Sequence, residues 1–185
     1  MADEIAPNAP IANYVRAIAE YRRGELNAAV QRLDRLVAQH PEDPYFHEFR
    51  GDVLFALAKP REAAAAYRRS LSLQPESALI QINLGRALIA IGGEPELREA
   101  VAALEAALTW EGNWAFVYRQ YGIALGRSGR IAEADLALAD EAILLGDGVR
   151  ATRLARRVLE LETVDPVLRN RASDIVFRYG RDRQQ

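Results

Sequence analysis

Pairs of apolar residues set four positions apart recur along this chain: Ala29 with Leu33, Ala63 with Tyr67, Ala100 with Leu104, and Ala134 with Leu138. A spacing of four returns a side chain to the same helix face, so each pair marks the apolar stripe of a helix whose other positions are largely polar. The alanines of these pairs follow one another at 34, 37 and 34 residues. A second small position, Ala17, Gly51, Gly85 and Gly122, returns at 34, 34 and 37, and Pro41 returns as Pro75 after 34. Both 37-residue steps cross GGEPEL, residues 92 to 97, so one three-residue insertion accounts for both departures from a 34-residue unit.

The unit reads as helix, turn, helix. First helices are expected over 10–22, 43–57, 77–91 and 113–127, and second helices over 26–39, 60–73, 95–110 and 131–145. Gly24, Gly92 and Gly129 fall just past first helices, where a left-handed turn residue ends a helix without strain. Pro41 and Pro75 close second helices. Helices approach closely only where side chains are small, so Gly51, Gly85 and Gly122 are expected to face Ala63, Ala100 and Ala134. After Gly146 and Asp147, ATRLARRVLEL continues as an amphipathic helix with Ala151 at the alanine position. DPVLRNRASDIVFRYG then opens on an aspartate cap and a proline. It is expected to cap the stack with a charged outer face. The resulting organisation is a leader over 1–9 and one domain over 10–180, followed by a frayed tail over 181–185. Within the domain, four repeats lie at about 10–41, 44–75, 78–112 and 115–146, with a degenerate fifth over 147–163 and a capping helix over 165–179.

This period, with its small residues, turn glycines and closing prolines, resembles the tetratricopeptide repeat (TPR). The resemblance implies an all-α, right-handed superhelical solenoid of helix hairpins. Three features depart from the pattern: Ala58 and Pro60 replace the turn glycine, Gly112 and Gly146 stand where prolines belong, and no repeat has a fourth-position tryptophan. A narrower resemblance covers about residues 11–175. PYFHEFRGDVLF and AEADLALADE are similar to the C-terminal TPR region of bacterial periplasmic zinc metalloproteases of the BepA type. That likeness implies a periplasmic location, a protease domain elsewhere in a parent chain, and outer-membrane assembly factors as partners.

Composition removes other classes. Of 24 basic residues 23 are arginine, against 26 acidic ones, and the net charge of −2 offers no field for nucleic acid. The chain has no cysteine, which suits oxidising and reducing compartments alike. No stretch is long and apolar enough for membrane insertion, and the start lacks the features of a signal peptide. The chain therefore reads as soluble. His47 and Glu48 begin an HExxH-like run, but Gly51 stands where the second histidine would bind zinc, so no metal site or cofactor is expected. His47 is expected at the surface of the stack. GIALGRSGR lacks the GK[ST] of a phosphate loop, and no serine sits in a nucleophile elbow. The chain by itself is not read as an enzyme.

Recognition by shape remains. In the TPR family the inner wall is lined by the second, fifth, ninth, twelfth and thirteenth positions of each repeat. Carried onto this chain, these give Tyr14, Tyr21, Tyr45, Glu48, Phe55, Arg86, Phe116, Arg119 and Arg127 as a protein-binding groove, with Leu79, Ile82, Ile89 and Asp52 beside them. Aromatic anchors next to arginines suit an extended peptide or partner segment. Tyr14, Tyr21 and Phe55 equally suit packing between helices, and Trp110 and Trp114 are expected to pack between repeats. The alternative to a groove for foreign partners is a free-standing scaffold whose groove or end is filled by a second copy, a homo-oligomer.

Overall fold

Pro10, Pro44, Pro60 and Pro166 each stand at the start of a helix, where a missing N–H leaves no bond unmade. The computed structural model describes residues 9–110 and 113–180. The leader up to residue 8, Gly112 and the tail 181–185 lie outside the described residues. Ten helices and no strand are found among the described residues. They are α1 (Pro10–Arg22), α2 (Leu26–Gln39), α3 (Pro44–Ala56), α4 (Pro60–Leu73), α5 (Ala78–Ile91), α6 (Glu94–Trp110), α7 (Ala115–Arg127), α8 (Ile131–Leu144), α9 (Gly148–Leu159) and α10 (Pro166–Tyr179). None is long and apolar enough to cross a membrane. The chain divides into two units, residues 1–91 and 92–185.

In the first unit, α1 to α5 pack in sequence order, and α3 also touches α5. The alanine and the large residue of the sequence pattern become the core: Ala17, Ala29, Leu33, Leu36, Phe46 and Val53 are buried together. Burying a leucine of this kind contributes about 2 kcal/mol. The atoms nearest Gly51 belong to Tyr67 rather than to Ala63, the partner its spacing suggests. A Cβ on Gly51 would lie 2.5 Å from Tyr67 Cε1, so the glycine makes room for the large residue four positions further on. His47 is buried rather than at the surface, and its Nε2–H donates to the Pro41 carbonyl at 2.9 Å, fastening α3 to the end of α2. The Ser70 hydroxyl adds a bond from α4 to the Pro44 carbonyl at 2.8 Å.

The second unit holds α6 to α10, again packed in order, with α10 also reaching α8. Its core gathers Leu136, Ala139, Ala142, Ala151, Leu154, Ala155, Val158, Ala172 and Ile175. Gly122 opens space for Leu138, whose Cγ would lie 2.8 Å from an added Cβ, and for the Ala134 carbonyl at 3.2 Å. The three-residue insertion is absorbed by α6. It has 17 residues where the other second helices have 14, and its alanine marker Ala100 sits one turn later from the helix start. Asp165 caps α10 by accepting from Val167 N–H at 2.8 Å, and Asp147 caps α9 through Arg150 N–H at 2.8 Å.

Four turns share one closure. After α1, α3, α7 and α8 the chain returns a backbone bond over five residues, Glu25 N to Glu20 O, Lys59 N to Leu54 O, Arg130 N to Leu125 O and Asp147 N to Ala142 O. Each has a residue of positive φ just before the returning N–H. In three it is glycine, and in the α3 turn it is Ala58, at φ 57°.

Candidate peptide-binding face

The first helices of residues 1–91 present their second positions to solvent as an apolar row: Ile11, Tyr45 and Leu79 are 53%, 56% and 49% exposed. Behind it, Tyr14 and Tyr21 stack against α3, with Tyr14 at 5.4 Å from Phe46 and 5.7 Å from Phe49, and Tyr21 at 5.5 Å from Phe49. Tyr14 is thereby half-buried and Tyr21 stays at the edge. Ile82 and Ile89, placed by the repeat register on the inner wall, are instead buried.

A polar network occupies the next turns of α3 and α5. Asp52 accepts from the Tyr67 hydroxyl at 2.8 Å and from the Asn83 amide at 3.2 Å, and Arg86 donates to the Asn83 carbonyl oxygen at 3.2 Å. The Arg86 guanidinium also lies 4.9 Å from the Phe55 ring centre, a cation–π contact. Burial pushes the Asp52 carboxyl above its ordinary range, opposed by the Tyr67 hydrogen bond and Arg86. Glu48, one turn before Asp52, is raised first by burial and then by the neighbouring Asp52 charge. The Tyr14 and Tyr67 hydroxyls are raised by burial and by these carboxylates. Glu48 is half-buried, and no hydrogen bond or ion pair reaches its carboxylate among the described residues. A donor arriving with a ligand would meet an acceptor already stripped of part of its water.

The remaining register positions lie in residues 92–185. Phe116 is half-buried beside Trp114, with ring centres 6.1 Å apart. Trp110 and Trp114 are exposed, so the expectation that they pack between repeats does not hold. Arg127 is exposed, and its guanidinium lies where a Cβ on Gly92 would come within 2.8 Å. Arg119 is engaged in holding helices together, since its Nε donates to Glu141 Oε1 at 2.5 Å while Arg150 donates to Glu141 Oε2 at 2.7 Å. Glu141 is 1% exposed and ties α7, α8 and α9 together through two guanidinium groups. Two further α8 carboxylates are met the same way, Asp135 by Arg157 at 3.3 Å and Asp140 by Arg171. Burial raises both carboxyls, and the arginines oppose the shift. The run AEADLALADEA places these three acids on α8, but their partners lie 9 to 31 residues away, and sequence spacing alone does not name them.

A cavity of about 440 Å³, which no sequence motif marks, opens between α9 and the end of α10. Its wall carries Arg153, Arg156 and Arg157 with Thr152 and Tyr179. No group of three metal-binding side chains occurs among the described residues.

No protein-family model and no curated protein matches the chain. Several solved structures share its fold. MamA 41-end from Desulfovibrio magneticus RS-1 aligns with a TM-score of 0.71 and 16% identity over 95% of this chain and 97% of that one. YrrB, described as a TPR protein with an unusual peptide-binding site, aligns at 0.69 with 18% identity over 92% and 88%. PilW, described as a widely conserved type IV pilus biogenesis factor, aligns at 0.57 with 17% identity over 95% and 88%. At these identities the likeness is one of fold: the chain has the helix-hairpin fold of TPR solenoids, as its 34-residue period requires.

Proposed function

We propose that this protein is a non-catalytic interaction module that takes an extended peptide or partner segment on the first-helix face of residues 1–91. The observation that carries the reading is the exposure of Ile11, Tyr45 and Leu79 together with Glu48, half-buried one turn after Tyr45 and without a hydrogen bond or ion pair among the described residues. Apolar side chains of an extended segment would lie against the row, and a backbone N–H or a basic side chain would bond Glu48. Tyr14, Tyr21, Phe55 and Arg86 form the walls, the last two locked against each other. Phe116, Arg119 and Arg127 are the corresponding positions of residues 92–185. The reading is supported by a fold neighbour described as having a peptide-binding site.

The test is a labelled peptide of sequence Leu-Arg-Leu-Lys-Phe, followed by fluorescence anisotropy. Wild-type protein is expected to bind it. Tyr45→Ala with Leu79→Ala, both at exposed positions, should lower affinity tenfold or more while the circular dichroism spectrum is unchanged. Equal affinity in the folded double variant removes the face from the function.

A finer reading makes the module the partner-binding region of a BepA-like periplasmic metalloprotease, handling outer-membrane assembly clients. Its support is the sequence resemblance over about 11–175. A parent coding sequence with an HExxH helix before this region is expected, and a complete gene without one overturns it. A free-standing scaffold that self-associates is the competing reading, and a concentration-dependent sedimentation coefficient would favour it.

A further inference from the structure

One stripe of α9 packs inward through Ala151, Leu154, Ala155 and Val158. The opposite stripe, at positions 149, 152, 153, 156, 157 and 160, lines the cavity of about 440 Å³ against Tyr179 and Gly180. Three arginines share this wall. Arg157 is held by Asp135 at 3.3 Å, whereas Arg153 and Arg156 have neither an ion pair nor a hydrogen bond among the described residues. Thr152, in the same wall, is 6% exposed, and its Oγ1 is a buried polar atom with no hydrogen-bond partner. Unpartnered buried hydroxyls are rare in folded proteins and call for an explanation such as a missing partner. Residues 148–180 carry seven arginines against four carboxylates, in a chain whose net charge is −2. The positive charge is therefore concentrated at these two helices.

We infer that the α9–α10 cavity is a second binding site, specific for a carboxylate-bearing peptide segment of a partner protein. Arg153 and Arg156 lie one helical turn apart and can hold one or two carboxylates between them, with the Thr152 hydroxyl as a further donor. The stripe from Val149 to Glu160 runs about 16 Å along the helix, the length of about five extended residues. Exposed Val149 and half-buried Tyr179 provide apolar walls that a lone inorganic anion would not use. The cavity is of ordinary ligand size. A Glu160 carboxylate at one end disfavours a uniformly acidic run and favours a segment with its acids towards Arg153 and Arg156.

Anisotropy with a labelled Leu-Asp-Glu-Leu-Ala peptide tests the inference on the full chain. Binding is expected to weaken at least tenfold in Arg153→Glu with Arg156→Glu, both exposed, and at least fivefold when the peptide acids become Asn and Gln. Equal binding of the amide peptide, or full affinity in the folded double variant, overturns the site. So does inorganic phosphate binding more tightly than the peptide, which would make it a small-anion site. Thr152→Val keeps the side-chain shape. It is expected to retain the melting temperature while lowering affinity about threefold, and undiminished affinity overturns the hydroxyl's assignment. The variants of Tyr45 and Leu79 should leave this peptide's affinity unchanged, so failure here and failure of the first-helix face are read separately.

Discussion

In residues 1–91, Asp52 takes its hydrogen bonds from a tyrosine hydroxyl and an asparagine amide; in residues 92–185, Glu141 takes its bonds from two arginines. Three α8 acids of the second unit are neutralised by guanidinium groups from other helices, whereas among the described residues of the first unit only the Glu20–Arg32 pair, 2.5 Å apart, is comparably buried. Burial raises Asp52 as it raises the arginine-paired Asp135 and Asp140, and the Asp52 charge, met by neutral donors, in turn raises Glu48. Among the described residues, the first unit is left with an acceptor lacking a donor at Glu48, and the second with donors lacking an acceptor at Arg153 and Arg156. The two surfaces should therefore select ligands of opposite charge.

The largest test is on the ionic side. Glu141→Ala leaves Arg119 and Arg150 without their shared carboxylate and opens a void at a position 1% exposed. Two charge-assisted hydrogen bonds and the packing of the buried side chain are lost together, about 3 kcal/mol, while the freed arginines, 52% and 31% exposed, turn to water. Urea denaturation is the measurement, and a loss below about 1 kcal/mol would show that α7, α8 and α9 are held by apolar packing alone. The corresponding removal in the first unit, Tyr67→Phe, takes one neutral donor from Asp52 and should destabilise by about 1 kcal/mol.

Close approach gives a second contrast. Gly51→Ala would press a methyl against three atoms of the Tyr67 ring at 2.5, 2.7 and 2.9 Å, and that ring is tethered by its hydroxyl to Asp52. A loss of about 2 kcal/mol is expected. Gly126→Ala in α7 meets only the Ala134 Cβ at 3.6 Å, an ordinary contact, and helix propensity then favours alanine by up to about 1 kcal/mol. Thermal melts that moved in the same direction would break the distinction.

The pH dependence of Glu48 sharpens the electrostatic contrast. Its folded pKa lies above the ordinary 4.5, so between those two values the folded state binds more protons than the unfolded one. Stability contributed by this group is present below 4.5 and is lost as pH rises through the raised value. Glu48→Gln removes the ionisation. Its advantage over wild type should be absent near pH 4, grow above it, and level off within about 1 kcal/mol. A pH-independent difference would mean that the fold does not disfavour the charged form of the carboxyl. The same variant is expected to weaken the basic peptide, a gain in stability at the expense of binding.

The repeat period made the helices legible, because a 34-residue return of small and large residues leaves few ways to pack them. It also located the insertion, and the helix expected over 95–110 already carried extra residues before Ala100; α6 starts one residue earlier, at Glu94. Its pairing of small residues held in part: Gly122 comes against the Ala134 carbonyl as well as Leu138, whereas the atoms nearest Gly51 are those of Tyr67, the bulky member of the Ala63–Tyr67 pair. The site was less legible. Position in the repeat named Arg86 and Arg119, but a long flexible side chain chooses its partner from helices far along the chain. Arg86 turned to Phe55 and Arg119 to Glu141, 31 and 22 residues away. His47 was misplaced for a different reason, its partner being a backbone carbonyl six residues back, at Pro41 just past α2, which no side-chain pattern marks.

The smallest effect bears on the one turn that breaks the repeat's own rule. After α1, α7 and α8 a glycine takes the left-handed position, at φ between 76° and 79°, whereas after α3 Ala58 is forced to 57°. The hydrogen bonds on either side are the same, Ala58 N to Phe55 O and Lys59 N to Leu54 O, both 3.0 Å. The turn is therefore intact and strained, since a Cβ in that conformation crowds the following carbonyl by about 1 kcal/mol. Ala58→Gly relieves the crowding but gives the unfolded chain more freedom, which offsets part of the gain. A net stabilisation of about 0.5 kcal/mol is expected, seen as a small rise in the urea midpoint with an unchanged slope. Gly24→Ala, the reverse change in the same unit, should lower it by about 1 kcal/mol, because nothing within 4 Å of the new methyl compensates its strain. If both substitutions shifted the midpoint the same way, the left-handed position would not be what distinguishes the α3 turn from the other three.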